Sequence, residues 1–207
     1  SKADKLATRP ALAVGYHVPP RNTPEYFAMG LLDQILVQGR DSRLYQALVQ
    51  RNGYTGDVSG GINLLGNMFN VDGPVLWITS LMHDAETPAD EILKAFDEEI
   101  ERLRSEPVDE DTLALAKIKA RSSFYDELET MFGFGRADLL ACFALFDDDP
   151  GRINALEAEF AKVTPEILLA TAREYLRPTN RTILTIEPQP EEPPAAGDDE
   201  GEGSEAS

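Results

Sequence analysis

The residue types able to do chemistry are few in this chain. Histidine occurs twice, as His17 and His83, and cysteine once, as Cys142. A hydrolytic zinc centre needs two imidazoles presented together, a third ligand, an open coordination position and a carboxylate base for the metal-bound water. His17 opens the run His17-Val18-Pro19-Pro20-Arg21, where prolines forbid a helix carrying two ligands on adjacent turns. His83 precedes Asp84-Ala85-Glu86 at the end of a strand-like run, with no second histidine nearby. The fold would have to assemble any His17/His83/carboxylate site; the plainer reading is two ordinary surface or half-buried histidines. Cys142 lies among Leu139, Leu140, Ala141 and Phe143 and reads as a small buried hydrophobe. No Gly-x-Ser-x-Gly nucleophile elbow is present. The glycines at 53, 56, 60 and 61 form neither a dinucleotide nor a phosphate loop. Asp147-Asp148-Asp149 reads as a solvated turn.

The stretch that organises the rest is residues 39–61. Asp41 or Ser42 can cap a helix start, because a short oxygen side chain accepts from a first-turn N–H. Leu44 and Leu48, with Tyr45 and Val49 on the neighbouring face, follow helical spacing. Asn52-Gly53 ends the helix, since glycine accepts the left-handed position. Residues 54–62 are Gly-rich and predict a kinked strand. On residue pattern alone this is a packed helix followed by a strand.

The chain has 207 residues and a formal charge of −18, from 37 acidic and 19 basic residues. That length suits one domain plus a tail. The acidity argues against nucleic acid and anionic membranes, which require Lys and Arg clusters. One cysteine leaves no internal disulfide and leaves the redox compartment open. No run of ~18 apolar residues predicts a spanning helix. The opening Ser-Lys-Ala-Asp-Lys has no signal-peptide pattern and is expected to be the middle of a longer protein or a cut boundary.

In chain order, residues 1–9 are expected to be linker. Residues 11–18 alternate as a strand stopped by Pro19-Pro20. Thr23-Pro24-Glu25 starts a buried helix running to about 38. Residues 64–74 read as loop. Residues 75–82 are the strongest strand signal, and their near-continuous apolar run predicts a central strand covered on both faces. Thr87-Pro88 and Thr164-Pro165-Glu166 repeat the helix start, the latter opening a helix with Ile167, Leu168, Ala172, Tyr175 and Leu176 on its stripe. Between them lie helices over 89–104, about 110–128 and 137–146, with Gly133 and Gly135 as punctuation, and a further one over 153–163. Residues 181–186 form a closing strand. From 189 to 207 the chain is Pro, Gly, Ala, Ser and acid, and is expected to be a disordered acidic tail, solubilising or partner-binding. Clustered antiparallel or mixed strands with helices on one face predict an α+β layered domain over residues 10–188.

Several segments, taken together and in order, resemble the C-terminal domain of M16-family zinc metallopeptidases, the relatives of pitrilysin, insulin-degrading enzyme and mitochondrial processing peptidase. They are Ser42-Arg43-Leu44-Tyr45-x-x-Leu48, then Gly53 and Val58-Ser59-x-Gly61; Pro107-Val108-x-Glu110…Leu113-Ala114-x-Ala116-Lys117; and Val163-Thr164-Pro165-Glu166-Ile167…Ala172-Arg173-Glu174-Tyr175-Leu176-Arg177-Pro178-Thr179-Asn180-Arg181-Thr182. The resemblance covers about residues 10–188. It implies an M16-like (LuxS/MPP-like) fold, with Ser42, Arg43, Leu44 and Gly53 as its structural motif. Zinc is implied in an upstream or partner domain bearing the His-x-x-Glu-His helix, with no cofactor in this domain.

In the family, an arginine and a tyrosine seven residues later donate to the substrate near zinc, supporting a developing oxyanion. Those positions here are Val49 and Gly56, which have no side-chain donor. Arg51 and Tyr54 are out of register, and Arg9/Tyr16 lie on the wrong segment. The resemblance therefore implies a non-catalytic domain of a zinc metalloendopeptidase, or of its inactive paralogue. It would wall a peptide-enclosing chamber, with Val49, Tyr54 and Gly56 as chamber candidates. Its partners would be the M16 N-terminal domain in cis, a second M16 subunit (a dimer) and peptide substrate, in a bacterial setting with the periplasm favoured over the cytoplasm. A stand-alone acidic α+β interaction module, with the tail as its binding element, is the other reading.

Overall fold

The structure is a computed structural model that describes residues 1–64 and 66–189, without the side chains of 131–133. The expected acidic tail lies outside the described residues, apart from Gln189. Among the described residues five strands form one mixed sheet: β1 (Lys2–Asp4), β2 (Ala11–His17), β3 (Ser59–Ile62), β4 (Leu76–Met82) and β5 (Arg181–Pro188), in the order β1-β5-β2-β4-β3. β1 runs parallel to β5 and all other pairs are antiparallel. Residues 1–9, expected as linker, therefore contribute an edge strand. Lys2 pairs with Ile186 and Asp4 with Pro188, a long-range contact invisible in a polar tripeptide.

The helices are α1 (Pro24–Leu36), α2 (Ala89–Ser105), α3 (Glu110–Asp147), α4 (Leu156–Ala161) and α5 (Pro165–Tyr175). Thr23 and Thr164 cap α1 and α5 as expected, accepting from Tyr26 N and Ile167 N. Thr87 does not: α2 begins after Pro88 with no side-chain cap. The helix expected over 153–163 is a 3₁₀ turn, Pro150–Ala155, followed by the short α4.

Two helices expected over 110–146 are one, α3, with 38 residues. Glycine lowers helix propensity without forbidding the conformation, and no proline interrupts the run. The glycines still matter. Lys119 sits at the C-terminal end of α1 and Asp147 bonds Asn22 beside its start. A straight helix would separate those two residues by ~42 Å, against ~20 Å for the length of α1. α3 is therefore bent. A Cβ on Gly135 would lie 1.7 Å from the Glu127 carbonyl oxygen, so only glycine permits that approach.

Alternation along β2 buries Leu12, Val14 and Tyr16 beneath the helical layer. Their partners Leu81, Thr79 and Trp77 on β4 are buried on the same face. α1 is apolar almost all round and sits at the centre of the layer. Its Phe27 packs edge-on against Phe160 of α4 at 5.2 Å and near Phe69, which contacts Phe143 of α3. Arg181 of β5 forks onto Asp97 of α2 and ties sheet to helices.

β4 is central but is covered on one face only, with Leu76, Ile78 and Ser80 half-exposed. Its apolar run suggested two covered faces. The helices pack on one side, and the other side of the sheet is open.

Candidate functional site

The segment after α1 departs from an ordinary helix. Tyr45–Arg51 is a π-helix, a wider turn often found at functional positions. Neither proposed cap operates. The Ser42 hydroxyl donates backwards to the Val37 carbonyl at 3.1 Å, satisfying the end of α1. Asp41 instead pairs with Lys119 at 3.0 Å. Lys119 also donates to the Gln34 and Gln38 carbonyls, so one ammonium caps α1 and anchors the turn. The π-helix closes at Gly53, at φ +64°, with Tyr54 N reaching back to the Leu48 carbonyl at 2.9 Å. Leu44 and Leu48 are fully buried and Arg43 is half-buried.

This geometry scatters the three chamber candidates. Val49 and Tyr54 are half-buried and pack against the core. Gly56 is exposed, with open space where a Cβ would stand. It lies where two shallow clefts meet. One, of about 480 Å³, is flanked by Gln38, Arg40, Tyr45 and Gly60. The other, of about 400 Å³, is flanked by Arg9, Thr55, Ser80 and Met82. Thr55 fixes the corner, donating within reach of the Met82 and Asp57 carbonyls. The strand expected over 54–62 is confined to β3.

Arg51 points away from these clefts' chemistry. It pairs with Glu99 at 3.2 Å, a carboxylate buried on α2 that Arg102 also holds at 3.0 Å. The arginine out of register with the family's position is thus a structural tie.

The two histidines do not fit a zinc centre. β2 and β4 pair from Ala11↔Met82 to His17↔Leu76. His17 is at one end of that ladder and His83 just beyond the other, opposite Pro10, seven residue steps or ~23 Å apart. His83 is buried, and its ring Nδ1 lies 3.0 Å from the Asp84 carbonyl oxygen. Among the described residues no three His, Cys, Asp or Glu side chains group to hold a metal ion.

The open sheet face is a surface that residue pattern under-described. Ala11, Ala13, Gly15 and His17 alternate with the buried residues of β2, and their partners share their side. These partners are Met82, Ser80, Ile78 and Leu76 on β4, and Ile186, Leu184 and Thr182 on β5. A Cβ on Gly15 would meet both Ile78 and Leu76 at 3.6 Å, confirming the shared face. Apart from His17 at its rim, these positions carry no ionisable side chain, in a chain with 37 acids; on the edge strand β1, Lys2 and Asp4 share the side of Ile186 and Pro188.

Reasoning from sequence also missed Asp33. It sits on α1, 8 % exposed, where the Trp77 indole donates to Oδ1 at 2.7 Å and Gln38 Nε2 to Oδ2 at 3.0 Å. The same Gln38 amide donates to the Gly60 carbonyl at 3.0 Å, joining a buried carboxyl to the outer strand. Burial pushes the Asp33 carboxyl up to about 6, against those hydrogen bonds and Lys119. An apolar stripe with one Asp in it gave the only signal.

Residues 2–119 match the model of the peptidase M16 inactive domain. The chain belongs to that family. As an M16 inactive domain it also has the expected structural neighbours. A protease from Helicobacter pylori aligns with a TM-score of 0.74 at 19% identity over 90% of this chain and 43% of that one. The inactive peptidase domain of a zinc protease candidate from Bordetella parapertussis aligns at 0.70 with 22% identity, over 85% of this chain and 91% of that one. The periplasmic protease PqqL from Escherichia coli aligns at 0.67 with 17% identity, over 91% of this chain and 20% of that one. This M16 domain thus spans less than half the length of the Helicobacter protease. Comparison with curated proteins finds no match. Among the described residues no helix is long and apolar enough to cross a membrane.

Proposed function

We propose that this domain is the non-catalytic wall of a peptide-enclosing chamber in a larger zinc metalloendopeptidase. The zinc and its water-activating carboxylate belong to another M16 domain, in the same chain or in a second subunit. The observation carrying this reading is the open sheet face: over β2, β4 and β5 its side chains are uncharged apart from His17 at the rim, and Lys2 and Asp4 are confined to the edge strand β1. Such a face lets an extended peptide lie close without a desolvated charge opposing it. Gly56, at the junction of the two clefts, continues this wall, while Val49 and Tyr54 support it from behind. Ser42, Arg43, Leu44 and Gly53 shape the turn that presents it. The periplasmic setting of one structural neighbour supports an extracytoplasmic location.

The test is a charge placed on the open face of the whole protease. Ala13→Glu should lower peptide turnover at least tenfold while bound zinc per molecule stays unchanged. Turnover equal to wild type would remove the chamber reading. The isolated domain should retain less than one zinc per ten chains after mild chelation; one zinc per chain, lost on His17→Ala or His83→Ala, would overturn it.

A further inference from the structure

A cavity of about 220 Å³ lies where α1, β3, the 67–69 loop, α3 and α4 meet. Its apolar wall includes Ile62, Phe69, Phe124, Leu139 and Phe160, with Asp33 on the α1 side. Ser123 is exposed and Glu127 half-exposed, so the cavity opens along α3. Asp33 is held there without an ion partner of its own. The cation acting on it, Lys119 of α3, is spent on the Gln34 and Gln38 carbonyls and on both Asp41 oxygens. Glu127 of α3 adds a second carboxylate to the wall. The lining residues from β3, the 67–69 loop and α4 are uncharged, and among the described residues no Lys, Arg or His lines the cavity.

We propose that this cavity binds a small organic ammonium ion, its charge matched by Asp33 and its apolar body set against Phe124 and Phe160. A buried carboxylate without a cation is costly, and a ligand that brings one removes the cost. Each Asp33 oxygen accepts one hydrogen bond and has capacity for another. Aromatic faces attract a desolvated cation further. An apolar cavity of about 150 Å³ holds benzene, so this one has room for a ring bearing a charged arm. It is smaller than the ~300 Å³ at which drug-sized pockets begin, which selects a small ion over a peptide. The proposal goes beyond the chamber reading and does not depend on it.

Trp77 is the single tryptophan of the chain and its indole bonds Asp33, so its emission reports on the site. The probe is benzylammonium, which stays protonated between pH 5 and 7, with benzyl alcohol as its neutral counterpart. Benzylammonium should change Trp77 emission saturably and bind about tenfold tighter at pH 7 than at pH 5, because protons compete for Asp33. Benzyl alcohol and the Asp33→Asn variant should each lose at least tenfold. Equal binding of benzyl alcohol, retained affinity in Asp33→Asn, or no saturable change up to the solubility of the probe overturns the proposal. Should Asp33→Asn fail to fold by circular dichroism, Ser123→Phe decides the matter: filling the mouth should abolish binding, and undiminished affinity would place the ion elsewhere.

Discussion

The two faces of the sheet are built by the same strands and have opposite chemistry. The covered face presents Leu12, Val14, Tyr16, Trp77 and Leu81, each no more than 7 % exposed. The open face presents Ala11, Ala13, Gly15 and Ser80, with half-exposed aliphatics beside them. On the first, volume is what counts, because apolar area removed from water and close packing hold the helices down. On the second, the central strands β2, β4 and β5 present mostly uncharged residues, with His17, Lys2 and Asp4 at the margins. Many acids of this chain stand instead on helix surfaces and turns, as in Glu98, Glu101, Glu110 and Asp111, all in α2 or the first turn of α3. Packing thus concentrates on one side of the sheet, and the other side stays open.

That contrast can be broken most directly at Trp77, which is fully buried and donates to Asp33. Trp77→Ala should cost about 3–5 kcal/mol in urea denaturation, by lost burial and an emptied volume. A loss below ~1 kcal/mol would mean that the covered face does not hold the fold.

The next largest effect concerns pH. Asp33 titrates at about 6 folded, against an ordinary 3.8. An acid with a raised folded value favours the native state while protonated. Its contribution is full below about pH 3.8 and is lost as pH rises through about 6. Measured against Asp33→Asn, wild-type stability should therefore fall between pH 4 and 7, by up to about 3 kcal/mol. A difference that stays constant with pH would show Asp33 to be unperturbed.

Behind the covered face, Thr164→Ala should cost about 1 kcal/mol through the lost cap of α5. Thr87→Ala should cost a few tenths at most, since Thr87 caps nothing; equal losses would contradict the observed difference. The smallest effect belongs to the open face. Leu184 is 43 % exposed, and Leu184→Thr should change stability by less than about 0.5 kcal/mol, with thermal melts as the check.

Much of this architecture is written locally. Thr23-Pro24 and Thr164-Pro165 carry their own caps and preset φ, so α1 and α5 start where the residues say. Period-two alternation in residues 11–17 marks one face of β2 without reference to anything distant. The π-helix is not legible: Leu44, Leu48 and Val49 fit ordinary helical spacing, and nothing in their types distinguishes the wider turn that carries Asn52 N back to the Ala47 carbonyl. β1 is hidden because its partner lies more than 180 residues away in sequence. The join across Gly133 and Gly135 is hidden because glycine permits both a break and a bend.

By itself, then, the order of residues determined the layered α+β class, the family, and the lack of side-chain donors at Val49 and Gly56, since each depends on residue type and short-range spacing. Only the assembled chain decided that His17 and His83 stand at opposite ends of one ladder, that Gly56 alone of three candidates reaches the clefts, and that Asp33 is buried beside a cavity. Those are distances between segments far apart in sequence. They are set by how α1 and α3 pack on the sheet, and no local pattern encodes them.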